Sequence, residues 1–136
     1  MLFRSIDPLR PDVIGINCAT GPAEMWEHLR YLCEHARMPV SCLPNAGLPS
    51  VVDGHMHYDL TPEQLAEYHR RFVTELGVQV IGGCCGTTPE YIALLDRTCR
   101  DLQPAPRRPA HEPAAASIYS SVPLDRKSTR LNSSHT

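Results

Sequence analysis

Three times in its first hundred residues the chain passes from a short apolar run through a turn into a helix opened by proline. The three openings are Gly21-Pro22, Thr61-Pro62 and Thr88-Pro89. Proline suits the first helical position, where its fixed φ is pre-organised and its missing N–H has no intrahelical partner to lose. Each opening is preceded by a candidate strand: Asp12–Asn17, Pro39–Leu43 and Val78–Gly83. After the openings, apolar residues recur at helical spacing. They are Met25, Trp26, Leu29, Leu32, Cys33 and Ala36 in the first helix, Leu65, Tyr68, Phe72, Val73 and Leu76 in the second, and Tyr91, Leu95, Cys99 and Leu102 in the third. Thr61 and Gln64 stand where a capping box needs them, Thr88-Pro89-Glu90 repeats that start, and Gly77 stops the second helix. Strands alternating with helices imply a parallel sheet with right-handed crossovers, in a doubly wound fold or in part of a (β/α)8 barrel. About 100 residues follow this pattern, against about 250 for a whole barrel. Residues 44–60, rich in Gly, Pro, Asn and Asp, read as a long loop.

Beyond residue 102 the pattern stops. Residues 103–124 are rich in Pro, Ala, Arg and Ser and read as a disordered linker, semi-rigid where Pro104, Pro106, Pro109 and Pro113 crowd together. Residues 125–136 are polar and unrelated to anything upstream. Eleven of them, Asp125–His135, match the translation of a common short-read sequencing adapter in one frame, so this stretch is expected to be foreign to the protein.

A net charge of −2 gives no sign of a nucleic-acid partner or a membrane surface, and no apolar run is long enough to span a bilayer. The N-terminus lacks a signal-peptide core, so a cytoplasmic, reducing setting is expected. There, six cysteines suggest metal binding or buried thiols before disulfides. Cys18 and the pair Cys84-Cys85 fall at the C-terminal ends of the first and third strands, the edge where parallel α/β folds build their sites. Three thiolates match the protein-ligand count of a catalytic zinc site, which keeps a fourth position open. The same residues are also compatible with small buried hydrophobes, or with a strained vicinal disulfide at Cys84-Cys85. Cys33 and Cys99, on apolar helix stripes, and Cys42, mid-strand, read as core.

Asn17-Cys18 followed by Gly21-Pro22, then Pro44-Asn-Ala-Gly-Leu-Pro49, then Gly82-Gly-Cys-Cys-Gly-Thr-Thr-Pro89 together resemble the homocysteine S-methyltransferase family, over about residues 10–102. The resemblance implies a (β/α)8 TIM barrel of which residues 1–102 are the C-terminal part, its last three βα units. It also implies zinc held by Cys18, Cys84 and Cys85, with homocysteine sulfur in the fourth position. The residues Ala116–Leu124 look like the connection from such a barrel to the folate-binding barrel of cobalamin-dependent members. A methyl group from methylcobalamin would then pass to homocysteine and give methionine. The implied partners are homocysteine and cobalamin and folate modules of the same parent chain. Relatives using betaine or S-methylmethionine, or a non-catalytic zinc-binding fragment, are the alternatives. On this reading residues 1–124 alone are neither a stable domain nor an active enzyme.

Asn17, Asn45 and Gly83 lie near the same rim and are candidates for substrate contacts, with turn roles as the competing reading. Gly82, Gly83 and Gly86 suit close backbone approach. His55 and His57 are expected to stand outside the metal site. His28, His35 and His69 are expected on solvated helix faces, and Glu24, Glu63 and Glu90 in first turns, where they favour the helix dipole.

Overall fold

The structure, a computed structural model, describes residues 2–18, 20–110, 114–116 and 121–124. A short helix α1 (Leu2–Ile6) and a 3-10 turn lead into β1 (Ile14–Asn17). Helix α2 (Pro22–His35) and strand β2 (Val40–Leu43) follow, then β3 (Pro49–Val52), β4 (His55–Tyr58) and α3 (Pro62–Arg71). Strand β5 (Val80–Ile81) and α4 (Pro89–Cys99) complete the body. A small antiparallel pair, β6 (Ala114–Ala116) with β7 (Ser121–Pro123), lies beyond it.

Strands β1, β2 and β5 form one parallel sheet in the order β1-β2-β5, with Ile14 beside Val40 and Cys42 beside Ile81. The helix starts are as the sequence implied. Gly21 and Thr61 are N-caps with proline following, and Thr61 and Gln64 exchange both bonds of a capping box. Thr88 occupies the N-cap of α4 but makes no side-chain cap bond, which leaves Pro89 and the first-turn Glu90 to favour that start. Helix α3 ends in a π-helical turn, Phe72–Leu76, closed by Gly77 at φ +79°.

The core gathers on one face of the sheet. Met25, Leu29, Leu32 and Cys33 of α2 meet Val40 and Cys42 of β2, with Phe72 and Val78. Alternation along the strands turns Gly15, Asn17, Ser41, Leu43 and Val80 to the other face, where each is half-buried or exposed. No helix among the described residues covers that face. A doubly wound sheet has helices on both sides, whereas a barrel strand keeps one side for the barrel interior.

Three expectations need correction. The loop at 44–60 contains the β3–β4 hairpin, paired from Pro49–Tyr58 to Val52–His55. Its turn is Asp53-Gly54, both at positive φ, the pattern a two-residue hairpin needs.

Residues 103–110 are not disordered. Arg107 donates to the carbonyls of Ala36 (3.1 Å), Met38 (2.8 Å) and Cys33 (3.4 Å), and to Gln79 Oε1 (3.0 Å). Ala105 N–H bonds Val73 O and Ala110 N–H bonds Glu34 O. A guanidinium at the end of α2 satisfies carbonyls that the helix leaves unpaired and complements its dipole. Arg107→Ala should cost about 2 kcal/mol, the scale of bonds to a charged donor. Hydrogen exchange of the 33–38 backbone would register it as lost protection; unchanged protection would leave Arg107 a bystander.

His69 is not solvated. Its ring is fully buried, edge-on to Phe72 at 5.7 Å, and neither ring nitrogen has a hydrogen-bond partner. Burial pushes it down to about 4, against a smaller opposing effect of the Gly82 backbone beside the ring. Unfolding therefore takes up a proton between about pH 6.5 and 4, because the unfolded imidazole titrates near 6.5 and the folded one does not. The stability His69 contributes as a neutral ring is complete above that window. It falls by on the order of 3 kcal/mol as the pH drops through it. Exchange protection across residues 62–76, corrected for intrinsic rates, should weaken between pH 7.5 and 4.5, and His69→Phe should abolish that dependence.

Candidate metal centre

All three parallel strands deliver loops to the C-terminal edge of the sheet. Cys18 follows β1 with φ +60°, a left-handed conformation that costs a non-glycine residue roughly 1 kcal/mol or more. The surroundings hold it there: Cys18 N–H bonds Leu43 O at 2.9 Å, and Thr20 N–H bonds back to Cys18 O at 2.8 Å. The loop after β2 lies between the other two and ties them together. Asn45 N–H reaches Thr20 O, Cys84 N–H reaches Pro44 O, and Ala46 N–H reaches Cys85 O. Asn45, 4% exposed, accepts the Cys85 N–H on Oδ1 at 3.2 Å. Cys84 O is held in turn by the Thr87 N–H and hydroxyl.

This lacing brings three sulfurs together. Cys18 Sγ lies 3.6 Å from Cys85 Sγ, Cys84 Sγ lies 3.9 Å from Cys85 Sγ, and all three fall within 4.8 Å of one another. A tetrahedral ion with metal–sulfur bonds of ~2.3 Å sets its sulfurs about 3.8 Å apart, so the spacing suits one zinc-sized ion. Among the described residues no other group of three or more such side chains converges in this way. Cys85 is exposed and its two companions are half-buried, so the cluster faces solvent. Sharing a proton with Cys18, then partial burial, then Cys85 hold the Cys84 thiol above its ordinary range. A divalent cation would reverse that balance, since it favours thiolate.

The other cysteines are of a different kind. Cys33, Cys42 and Cys99 are buried and free, and burial lifts Cys33 to about 11 and Cys42 to about 12. They pack as small hydrophobes, as the sequence implied.

Of the remaining candidates, Asn45 takes a positioning role, holding the Cys85 backbone. Gly83 is required for packing: a Cβ there would stand 2.5 Å from the Thr87 methyl. Asn17, exposed at the end of β1, makes no side-chain hydrogen bond among the described residues. His55 and His57 lie on exposed β4 outside the cluster, and His57 pairs with Asp59 at 3.4 Å. Sequence reasoning missed Tyr58. Its ring packs against Gly86, which sits at φ +79°, and the phenol lies beside the Cys85 thiol. Desolvation first, then Cys85, push the phenol above its ordinary range. The hairpin signal Asp53-Gly54 would have placed Tyr58 at a strand end facing the site.

Residues 2–99 match the homocysteine S-methyltransferase family. A methionine synthase of Mycobacterium tuberculosis is 46% identical over 120 residues, covering 88% of this chain and 10% of that protein. A methionine synthase of Mycobacterium leprae is 46% identical over 132 residues, covering 93% of this chain and 11% of its own length. The chain thus spans about a tenth of these relatives.

Proposed function

The chain belongs to the homocysteine S-methyltransferase family, and we propose that it is the zinc-binding part of a methionine synthase, with Cys18, Cys84 and Cys85 as the metal ligands. The observation that carries this is the near-tetrahedral spacing of three sulfurs on the C-terminal edge of a parallel sheet. Zinc bound there would lower the pKa of a thiol in its open position, making homocysteine a thiolate at neutral pH without a general base. The chain's own residues fix the geometry: the strained turn at Cys18, the Asn45 bond to Cys85 and the Thr87 bonds to Cys84 aim the sulfurs at one point. The methyl donor on this reading is methylcobalamin and the product methionine. The cobalamin and folate modules belong to the same parent protein. Asn17 remains placed for substrate contact at the rim.

The parallel sheet with one bare face supports reading residues 1–102 as the last three βα units of a (β/α)8 barrel. Residues 103–124 would connect it to the next module. The similarity to the M. leprae protein covers 93% of the chain, so it runs beyond residue 102 into this segment, past the end of the family match at 99. That extension favours methionine synthase over betaine- or S-methylmethionine-dependent relatives. Residues 125–136 lie outside the described residues, and we read them as adapter-derived. Resequencing the locus by another library method should fail to recover their codons. No helix among the described residues is long and apolar enough to cross a membrane; a cytoplasmic setting is part of the same reading.

The test is to supply the intact protein with homocysteine and each donor in turn. One zinc per chain and methionine formed with methylcobalamin, not with betaine or S-methylmethionine, is the expected result. Turnover with betaine alone would move the chain to the other branch, and no turnover with any donor would favour a zinc-binding role without catalysis.

A further inference from the structure

Tyr58 stands against the sulfur cluster for reasons built into three separate segments. It ends β4, opposite Pro49, so the hairpin sets its direction. Two residues on, Leu60 is fixed from both sides: its N–H bonds Ala46 O, and its carbonyl accepts the Tyr91 hydroxyl. Ala46 is the residue whose N–H holds Cys85 O, so Tyr58 and Cys85 are tied to the same loop. The ring then comes so close to the turn after Cys85 that a Cβ on Gly86 would stand 2.4 Å from it. Only glycine permits both that approach and the positive φ. That approach brings the phenol beside the Cys85 thiol, the most exposed of the three.

We propose that Tyr58 is a positioning residue of the metal centre, its hydroxyl donating a hydrogen bond to the Cys85 sulfur once that sulfur is a metal-bound thiolate. A thiolate has no proton to give, so in the loaded state the phenol must be the donor. The bond orients Cys85 toward the ion and withdraws electron density from its sulfur. Partners of this kind around metal ligands are commonly worth 10- to 100-fold in metal affinity. The inference rests on the reading of Cys18, Cys84 and Cys85 as ligands.

Tyr58→Phe in the intact protein keeps the ring on Gly86 and removes only the hydroxyl. Zinc affinity, measured by competition with a chromogenic chelator, should fall about tenfold while thermal stability stays unchanged. In the cobalt(II)-substituted protein the thiolate-to-metal charge-transfer band should move to lower energy, since an undonated sulfur is richer in electrons. Tyr58→Leu, which also loses the ring contact, should lower stability as well, separating packing from the hydroxyl's role. Wild-type affinity together with an unshifted cobalt band in Tyr58→Phe would overturn the proposal while leaving the ligand assignment standing. A wild-type protein that takes up neither zinc nor cobalt would overturn the ligand assignment, and this inference with it.

Discussion

Cys84→Ser should strip the intact protein of its metal and reduce methyl transfer to background, with little change in fold. Serine is nearly the same size, so packing against Thr87 and the backbone bonds to Pro44 and Thr87 can persist. What is lost is a soft thiolate, and the two sulfurs that remain make an incomplete site. Without the ion, a homocysteine thiol of ordinary pKa ~8.5 is only a few per cent ionised at neutral pH. Cys18→Ser and Cys85→Ser should behave alike, because one zinc needs all three. Cys33→Ser and Cys99→Ser are the contrast. Each puts a hydroxyl in an apolar site at a cost of about 1–3 kcal/mol, and zinc content and turnover should survive. Metal analysis beside kinetics separates the two classes: stoichiometric zinc and near-normal turnover in Cys84→Ser would end the assignment.

The clustering of Cys18, Cys84 and Cys85 was legible because it depends on few facts. Each lies where a strand ends, and strands in an alternating α/β pattern end on one edge. The proline-opened helices were legible for a similar reason, since the signal is local and chemical. Failures came where a residue's type outweighed its place. His69 is four residues after Leu65 and three before Phe72, which puts it within the buried stripe of α3, yet its polarity argued for solvent. The β3–β4 hairpin was hidden by composition and by exposure. Val51 and Met56 pair across it but face water, so no buried alternation marks the strands. Only the Asp53-Gly54 turn announces it. The docking of residues 103–110 rests on Arg107 finding the end of a helix some seventy residues earlier, a contact no window of local sequence contains. Tyr58 was missed as a consequence of the missed hairpin.

Expressed alone, residues 1–124 should show no sharp cooperative unfolding and no methyl transfer. Parallel sheets are stable when both faces are covered, and here no helix among the described residues covers the face carrying Gly15, Asn17, Ser41, Leu43 and Val80. In a barrel these positions meet side chains from the other strands in stacked layers. Both edges of the sheet are open as well. Among the described residues β1 has only β2 as a neighbour and β5 only β2, and unpaired strand edges invite association. Beside the β1 edge lies a groove lined by Phe3, Ile6, Ile14 and Ile16, apolar surface a complete barrel would bury. A unit of about 100 residues has only about 5–15 kcal/mol of net stability when whole, so leaving a sheet face bare can exhaust it. The metal would add stability only to the extent that the three loops are already folded around it. The isolated segment should therefore appear aggregated or broadly unfolding by light scattering and calorimetry, and zinc should sharpen the transition only partly. A monodisperse monomer with a single calorimetric transition would mean that this sheet does not need the missing strands. The reading of residues 1–102 as part of a closed barrel would then fall, even if the sulfur site still bound its ion.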